Sequence, residues 1–202
     1  MSEERKLDIL KYLGYPKDAV PDEIVLGLIE RSLGELDKQA RFQYVYDHYA
    51  EPLDFMVQND AYVEYLKGAE GFILCATTLG IQVDRYIKRI ETVDMQYAVV
   101  FDATASVYLE EQADEYEKSL PFENKGFRFC PGYGGTPVTD SRAIADKLRA
   151  HKIGITFLES GLMVPMKSMV GIIRLGGESR KSCKGCVAAK GCPYLQQKTT
   201  CW

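Results

Sequence analysis

The run Arg128-Phe-Cys-Pro-Gly-Tyr133 continues through Gly134, Gly135 and Thr136 to Pro137 and then enters a helical pattern. These residue types suit recognition of a small zwitterion. Arg128 supplies a fixed cation that can hold a carboxylate through a bidentate fork. Pro131 presets its own φ and removes a backbone donor, while Gly132, Gly134 and Gly135 let main-chain atoms come close to a ligand. Tyr133 can pack its ring against a flat group while its hydroxyl finds a polar partner, and the main chain at Cys130 lies within the same loop. An ordinary surface turn beside an arginine has the same composition. The glycines do not form a dinucleotide fingerprint, which needs Gly-x-Gly-x-x-Gly directly after a strand.

A second group with chemical capacity is Cys183-x2-Cys186-x5-Cys192-x8-Cys201, four of the six cysteines of the chain. Clustered thiolates at short spacing hold zinc or an iron–sulfur cluster, and Arg180, Lys181, Lys184, Lys190 and Lys198 supply a positive field that favours the thiolate. A redox pair and incidental cysteines are the alternatives. The spacing matches neither a ferredoxin run nor the Cys-x3-Cys-x2-Cys of radical enzymes. Cys75 lies in an apolar run and reads as a small core residue. His48 and His151, the only histidines, have no nucleophile or ligand pattern around them, so hydrolase chemistry finds no support.

The elements that must position these residues follow from periodicity. Glu3–Leu13 and Asp22–Gln39 are expected as helices, the second burying Val25, Ile29, Leu33 and Leu36. Phe42, Tyr44 and Tyr46 alternate as a strand. Phe72–Thr77 is a buried strand that turns at Gly80 into a helix carrying Val83, Ile87 and Ile90. Met95–Ser119 is a long helix with Tyr97, Phe101, Thr104 and Tyr108 inward and an acidic, solvated far end. Asp140 is expected to cap a helix running to Ala150, and Ile153–Leu158 and Met169–Leu175 are expected as strands. Strands and helices alternate without a regular βαβ period, which gives an α+β class: one domain over residues 1–177 with a twisted, mainly antiparallel sheet, flanking helices and a helical lead-in, followed by a cysteine-rich tail over 178–202.

At 202 residues with 46% hydrophobic and 27% charged content, the chain can bury a full core. A net charge of −4 without a basic block argues against a nucleic-acid partner. The apolar runs are too short for a bilayer and the first residues lack a signal-peptide pattern, so a cytoplasmic location and no membrane are expected.

Arg128, Pro131, Gly132 and Tyr133, followed by Pro137, Gly154, Ile155, Glu159, Ser160, Met163, Pro165, Ser168 and Gly171, resemble the AdoMet-binding activation domain of cobalamin-dependent methionine synthase. The resemblance runs over roughly residues 68 to 175. It implies that Arg128 binds the carboxylate of S-adenosyl-L-methionine, that the main chain around Cys130 meets the nucleoside or amino group, and that Pro131, Gly132 and Tyr133 shape the pocket. It further implies reductive methylation of cob(II)alamin carried by a partner, either a cobalamin-dependent methionine synthase or a related corrinoid protein, with an electron donor such as flavodoxin or ferredoxin. With no corrinoid-binding Asp-x-His-x-x-Gly segment, the chain is expected to act in trans as a component of that methyltransferase. The family's acidic residue that reaches the AdoMet amino group has no counterpart here. A metal-carrying docking module that does not use AdoMet is therefore the alternative, and a separate AdoMet-dependent methyltransferase is a third reading.

Overall fold

The computed structural model describes residues 2–16, 19–177 and 189–196. Its helices are α1 (Glu3–Tyr12), α2 (Glu23–Gln39), α3 (Asp54–Val57), α4 (Asp60–Leu66), α5 (Ile81–Glu91), α6 (Met95–Ser119), α7 (Asp140–Lys147) and α8 (Pro193–Gln196). Its strands are β1 (Gln43–Tyr49), β2 (Gly71–Thr78), β3 (Lys125–Phe129), β4 (Thr156–Phe157), β5 (Met163–Val164) and β6 (Ser168–Leu175). The α+β class holds. No helix among the described residues is long and apolar enough to cross a membrane.

The chain divides into two compact units. The first comprises residues up to Tyr44, Thr77–Leu120 and Lys152–Ser168. Helix α6 is its spine, with α1, α2 and α5 against it. Asp94 starts α6 by accepting the Tyr97 N–H at 2.9 Å, and Asp22 does the same for α2 through the Val25 N–H at 2.8 Å. Val25 and Ile29 of α2 join Ile9, Leu10, Val100 and Val107 in one buried cluster, with Leu33 partly buried against it. Tyr97, Phe101 and Thr104 are buried as the helical spacing requires, whereas Tyr108 is half-buried and donates to Asp37 at 3.2 Å. The acidic end of α6 is partly used within the unit rather than wholly solvated: Glu111 pairs with Arg5 at 2.8 Å and Glu117 accepts from the Tyr44 hydroxyl at 2.9 Å. Strands β4 and β5 form a small antiparallel pair.

The second unit comprises Val45–Ala76, Pro121–His151 and residues from Met169 onward. It holds most of a four-stranded sheet of order β1-β2-β6-β3. Strand β2, Gly-Phe-Ile-Leu-Cys-Ala-Thr-Thr, is buried along its whole length, as a central strand covered on both faces must be. The Glu70 N–H donates to the Leu175 carbonyl and the Leu79 N–H to the Lys167 carbonyl, each at 2.9 Å, so β2 and β6 run antiparallel. Strand β3 runs antiparallel to β6 with Lys125 opposite Leu175, Arg128 opposite Ile173 and Phe129 opposite Ile172. One extra residue between Lys125 and Arg128 makes a bulge there, and Arg174 packs its guanidinium onto the Lys67 carbonyl at 3.0 Å and the Gly176 carbonyl at 3.2 Å.

Three boundaries differ from the periodicity. Thr139 occupies the N-cap position of α7 and Asp140 is its first helical residue. The same helix stops at Lys147, because Arg149 turns left-handed at φ 53°, and Ala150–Ile153 forms a 3-10 turn. That turn and Gly154 at φ 83° leave only Thr156–Phe157 as strand in the run expected from Ile153 to Leu158.

Candidate functional site

Arg128 lies in strand β3 and not in the loop itself; the loop opens at Cys130. Its position is fixed by a glycine. A Cβ at Gly171 on the neighbouring strand β6 would sit 2.5 Å from Arg128 Cγ and 2.9 Å from Cδ, so the arginine's methylenes cross β6 where no side chain stands. Such a close approach is a physical reason for glycine inside a strand.

Beyond Phe129 the chain folds back on itself. The Tyr133 N–H donates to the Cys130 carbonyl at 3.3 Å and the Thr136 N–H to the Tyr133 carbonyl at 3.0 Å. Buried Thr136 braces the inside of this turn: its Oγ1 accepts the Gly132 N–H at 3.0 Å and donates to the Tyr133 carbonyl at 2.8 Å. Gly132 and Gly134 have φ of 95° and 62°, values that ordinary side chains rarely adopt. A Cβ on Gly132 would also lie 3.0 Å from Val138 Cγ2. Pro131 is buried beneath the turn, while Tyr133 is 66% exposed. The result is a rigid backbone turn with an aromatic ring standing out from it.

An aromatic floor supports the strand and loop. Helix α4 presents Tyr62 and Tyr65, three residues apart on one face. The Tyr65 ring stacks on Phe129 with centroids 4.9 Å apart, and Tyr62 meets Phe129 edge-on at 5.7 Å. The Tyr65 hydroxyl donates to the Phe127 carbonyl, lies 3.2 Å from the Ile172 carbonyl and accepts the Arg174 N–H at 3.1 Å. It thereby serves main-chain groups of both strands where the bulge interrupts their ladder. The Tyr62 hydroxyl donates to Asp140 at 3.0 Å, tying α7 to α4. Burial pushes both phenols well above their usual range, and for Tyr62 the Asp140 carboxylate adds to the rise. Sequence reasoning missed these tyrosines. The signal available was the Tyr62–Tyr65 spacing ahead of the alternating Phe127 and Phe129.

The structure therefore brings Arg128, Cys130, Pro131, Gly132 and Tyr133 into one strand-to-turn segment of the second unit. Glu159 and Ser160 lie in the exposed β4–β5 turn of the first unit, where the Leu158 N–H donates to the Leu162 carbonyl at 2.9 Å. Cys75 is buried in β2, as its apolar run implies, and its thiol approaches the Gly171 carbonyl at 3.5 Å. Among the described residues Cys75, Cys130 and Cys192 form no disulfide with one another. Of the proposed metal ligands, Cys192 is half-buried just before α8, and Cys183, Cys186 and Cys201 lie outside the described residues. Among the described residues no group of three His, Cys, Asp or Glu side chains is placed to hold a metal ion.

No protein-family model and no curated protein matches the chain in sequence. Among solved structures, it is similar to the MetH reactivation domain bound to AdoHcy, with a TM-score of 0.59 and 16% identity over 89% of this chain and 77% of that one. At that identity the likeness is one of fold alone.

Proposed function

We propose that this chain binds S-adenosyl-L-methionine at the Arg128–Tyr133 segment and serves the reductive methylation of cob(II)alamin carried by a methionine synthase or a related corrinoid protein. The observation that supports it most is the placement of an arginine and a glycine-shaped turn at the end of an edge strand, in a fold similar to a domain solved with AdoHcy.

The chemistry of the donor set fits this ligand. The Arg128 guanidinium matches a carboxylate in a bidentate fork. The turn from Cys130 to Gly132, held open by Thr136, suits close main-chain contact with an amino group or ribose. The exposed ring of Tyr133 suits a purine face. A sulfonium is already an activated methyl donor, so the protein's part is to orient it and exclude water, with a one-electron donor supplying the reducing equivalent.

Calorimetric titration with S-adenosyl-L-methionine tests binding, with Arg128→Ala as the comparison. The expected loss is about 1.5–3 kcal/mol, the worth of a hydrogen bond to a charged group, with the circular dichroism spectrum unchanged. The second step is tested by mixing the chain with a cob(II)alamin-loaded protein, a reductant and S-adenosyl-L-methionine and following the visible spectrum. Conversion to methylcobalamin that depends on this chain is expected. Equal conversion without it, or with Arg128→Ala, sinks the reading and leaves the docking module.

A further inference from the structure

The first unit carries an excess of acid, 19 Asp and Glu against 13 Lys and Arg, yet the outer side of α5 is cationic. Arg85, Lys88 and Arg89 are all exposed and stand three and four residues apart, on one face of the helix. Lysines on other helices find an acid three residues before them, as Lys11 does with Asp8 at 2.6 Å, Lys38 with Glu35 at 3.2 Å and Lys118 with Glu115 at 3.5 Å. Helix α5 departs from this habit. Asp84, four residues before Lys88, is 5% exposed and turned inward, where it accepts the Met166 N–H at 2.7 Å. Glu91, three residues after Lys88, stands beside Tyr12 and Met95 in a separate shallow groove. Among the described residues Arg85, Lys88 and Arg89 form no ion pair and no side-chain hydrogen bond, and the same holds for Arg31 of α2, the helix that packs beside α5.

Two of these cations are fixed in place. Arg31 Cζ lies 4.0 Å from the centroid of the Tyr97 ring, and Arg89 Cζ lies 4.8 Å from that of Tyr86. Both rings are buried and their hydroxyls are 3.4 Å apart, so the two guanidinium groups rest on one platform. A guanidinium laid on a ring face keeps its N–H edges available to carboxylate oxygens, and it is ordered before any partner arrives. Glu35 is the acid near them, and its carboxylate is already engaged by Lys38 at 3.2 Å and Gln39 at 2.7 Å.

We propose that the α2–α5 face is a docking surface for an acidic segment of another protein, with Arg31 and Arg89 as forks for its carboxylates and Arg85 and Lys88 as the surrounding field. A compact cluster of carboxylates fits this face better than a nucleic acid or a membrane, because either of those would spread its anions over the acid-rich remainder of the unit. The assignment is independent of the S-adenosyl reading, since the Arg128–Tyr133 segment contributes no residue to this face.

The test is fluorescence anisotropy of a labelled hexaglutamate peptide titrated with the full chain at low ionic strength. Binding is expected, and it should weaken as salt is added. Arg31→Ala combined with Arg89→Ala should weaken it at least tenfold. Arg31→Lys combined with Arg89→Lys, which keeps the charge and loses the forks, should weaken it severalfold. Lys88→Gln, at an exposed side chain that touches nothing, should lower the affinity without disturbing the fold, and Lys118→Ala, whose ammonium is already paired, should leave it unchanged. No detectable peptide binding, unaltered affinity in the double alanine or double lysine variant, or tighter binding of a DNA duplex or phosphatidylserine vesicles would each overturn the proposal. Self-association of the chain that Arg89→Glu abolishes would overturn it as well, by giving this face to a second copy.

Discussion

The tightest relation in the candidate site is between one arginine and one glycine. Because the Arg128 methylenes fill the space above Gly171, the guanidinium's position depends on a residue forty-three places further along the chain. Gly171→Ala is therefore expected to force Arg128 aside, to cost about 1–3 kcal/mol of stability as an overpacked site, and to weaken S-adenosyl-L-methionine binding as well. Denaturant melts read the first effect and calorimetry the second; an alanine variant with unchanged affinity would show that Arg128 is not held in its binding pose by this contact. Arg128, Pro131, Gly132 and Tyr133 could be singled out from the sequence because their candidacy rests on residue types. The Arg128–Gly171 contact could not, since it exists only once β3 and β6 are paired, and Lys-Gly-Phe-Arg-Phe is too short and too evenly half-buried to announce itself as a strand.

Among the elements, the turn between β3 and α7 owes its shape to Thr136. Thr136→Val keeps the volume but removes the acceptor of the Gly132 N–H and the donor to the Tyr133 carbonyl. A cost of about 1–3 kcal/mol is expected for the groups left unmatched, together with weaker S-adenosyl-L-methionine binding from a looser turn. A lowered melting temperature with unaltered affinity would separate bracing from recognition. Helix α6 was read to its residue limits because Tyr97, Phe101 and Thr104 recur at helical spacing, and the structure adds the Asp94 cap. Helices α3 and α4 escaped notice because four and seven residues are too few to show a period. The floor formed by Tyr62 and Tyr65 went with them, and so did the Asp140 contact that reassigns this residue from a cap to a partner of Tyr62.

Across the molecule, buried phenols link stability to alkaline pH. Burial, with help from Asp47, pushes Tyr49 up to about 12, and burial drives Tyr62, Tyr65 and Tyr97 higher still. In the unfolded chain these groups ionise near pH 10. Above that value the unfolded state binds fewer protons than the folded one, so their contribution is complete below about pH 10 and is lost as pH rises through the folded values. Absorbance titration should show a fraction of the phenols ionising only together with loss of the circular dichroism signal above about pH 11; full phenolate formation in the still-folded protein would contradict this. The strand order β1-β2-β6-β3 carries a consequence for how the chain is made. Strand β2 can pair with β1 early, but its other neighbour, β6, leaves the ribosome roughly ninety residues later, and such non-local pairing is slow to close. Until then Phe72, Ile73 and Leu74 sit on an open apolar edge, the kind of surface that recruits other chains. Fragments ending before Ser168 should therefore aggregate during synthesis, and a chaperone that holds nascent chains should improve the yield of the whole protein more than it improves the stability of the finished fold.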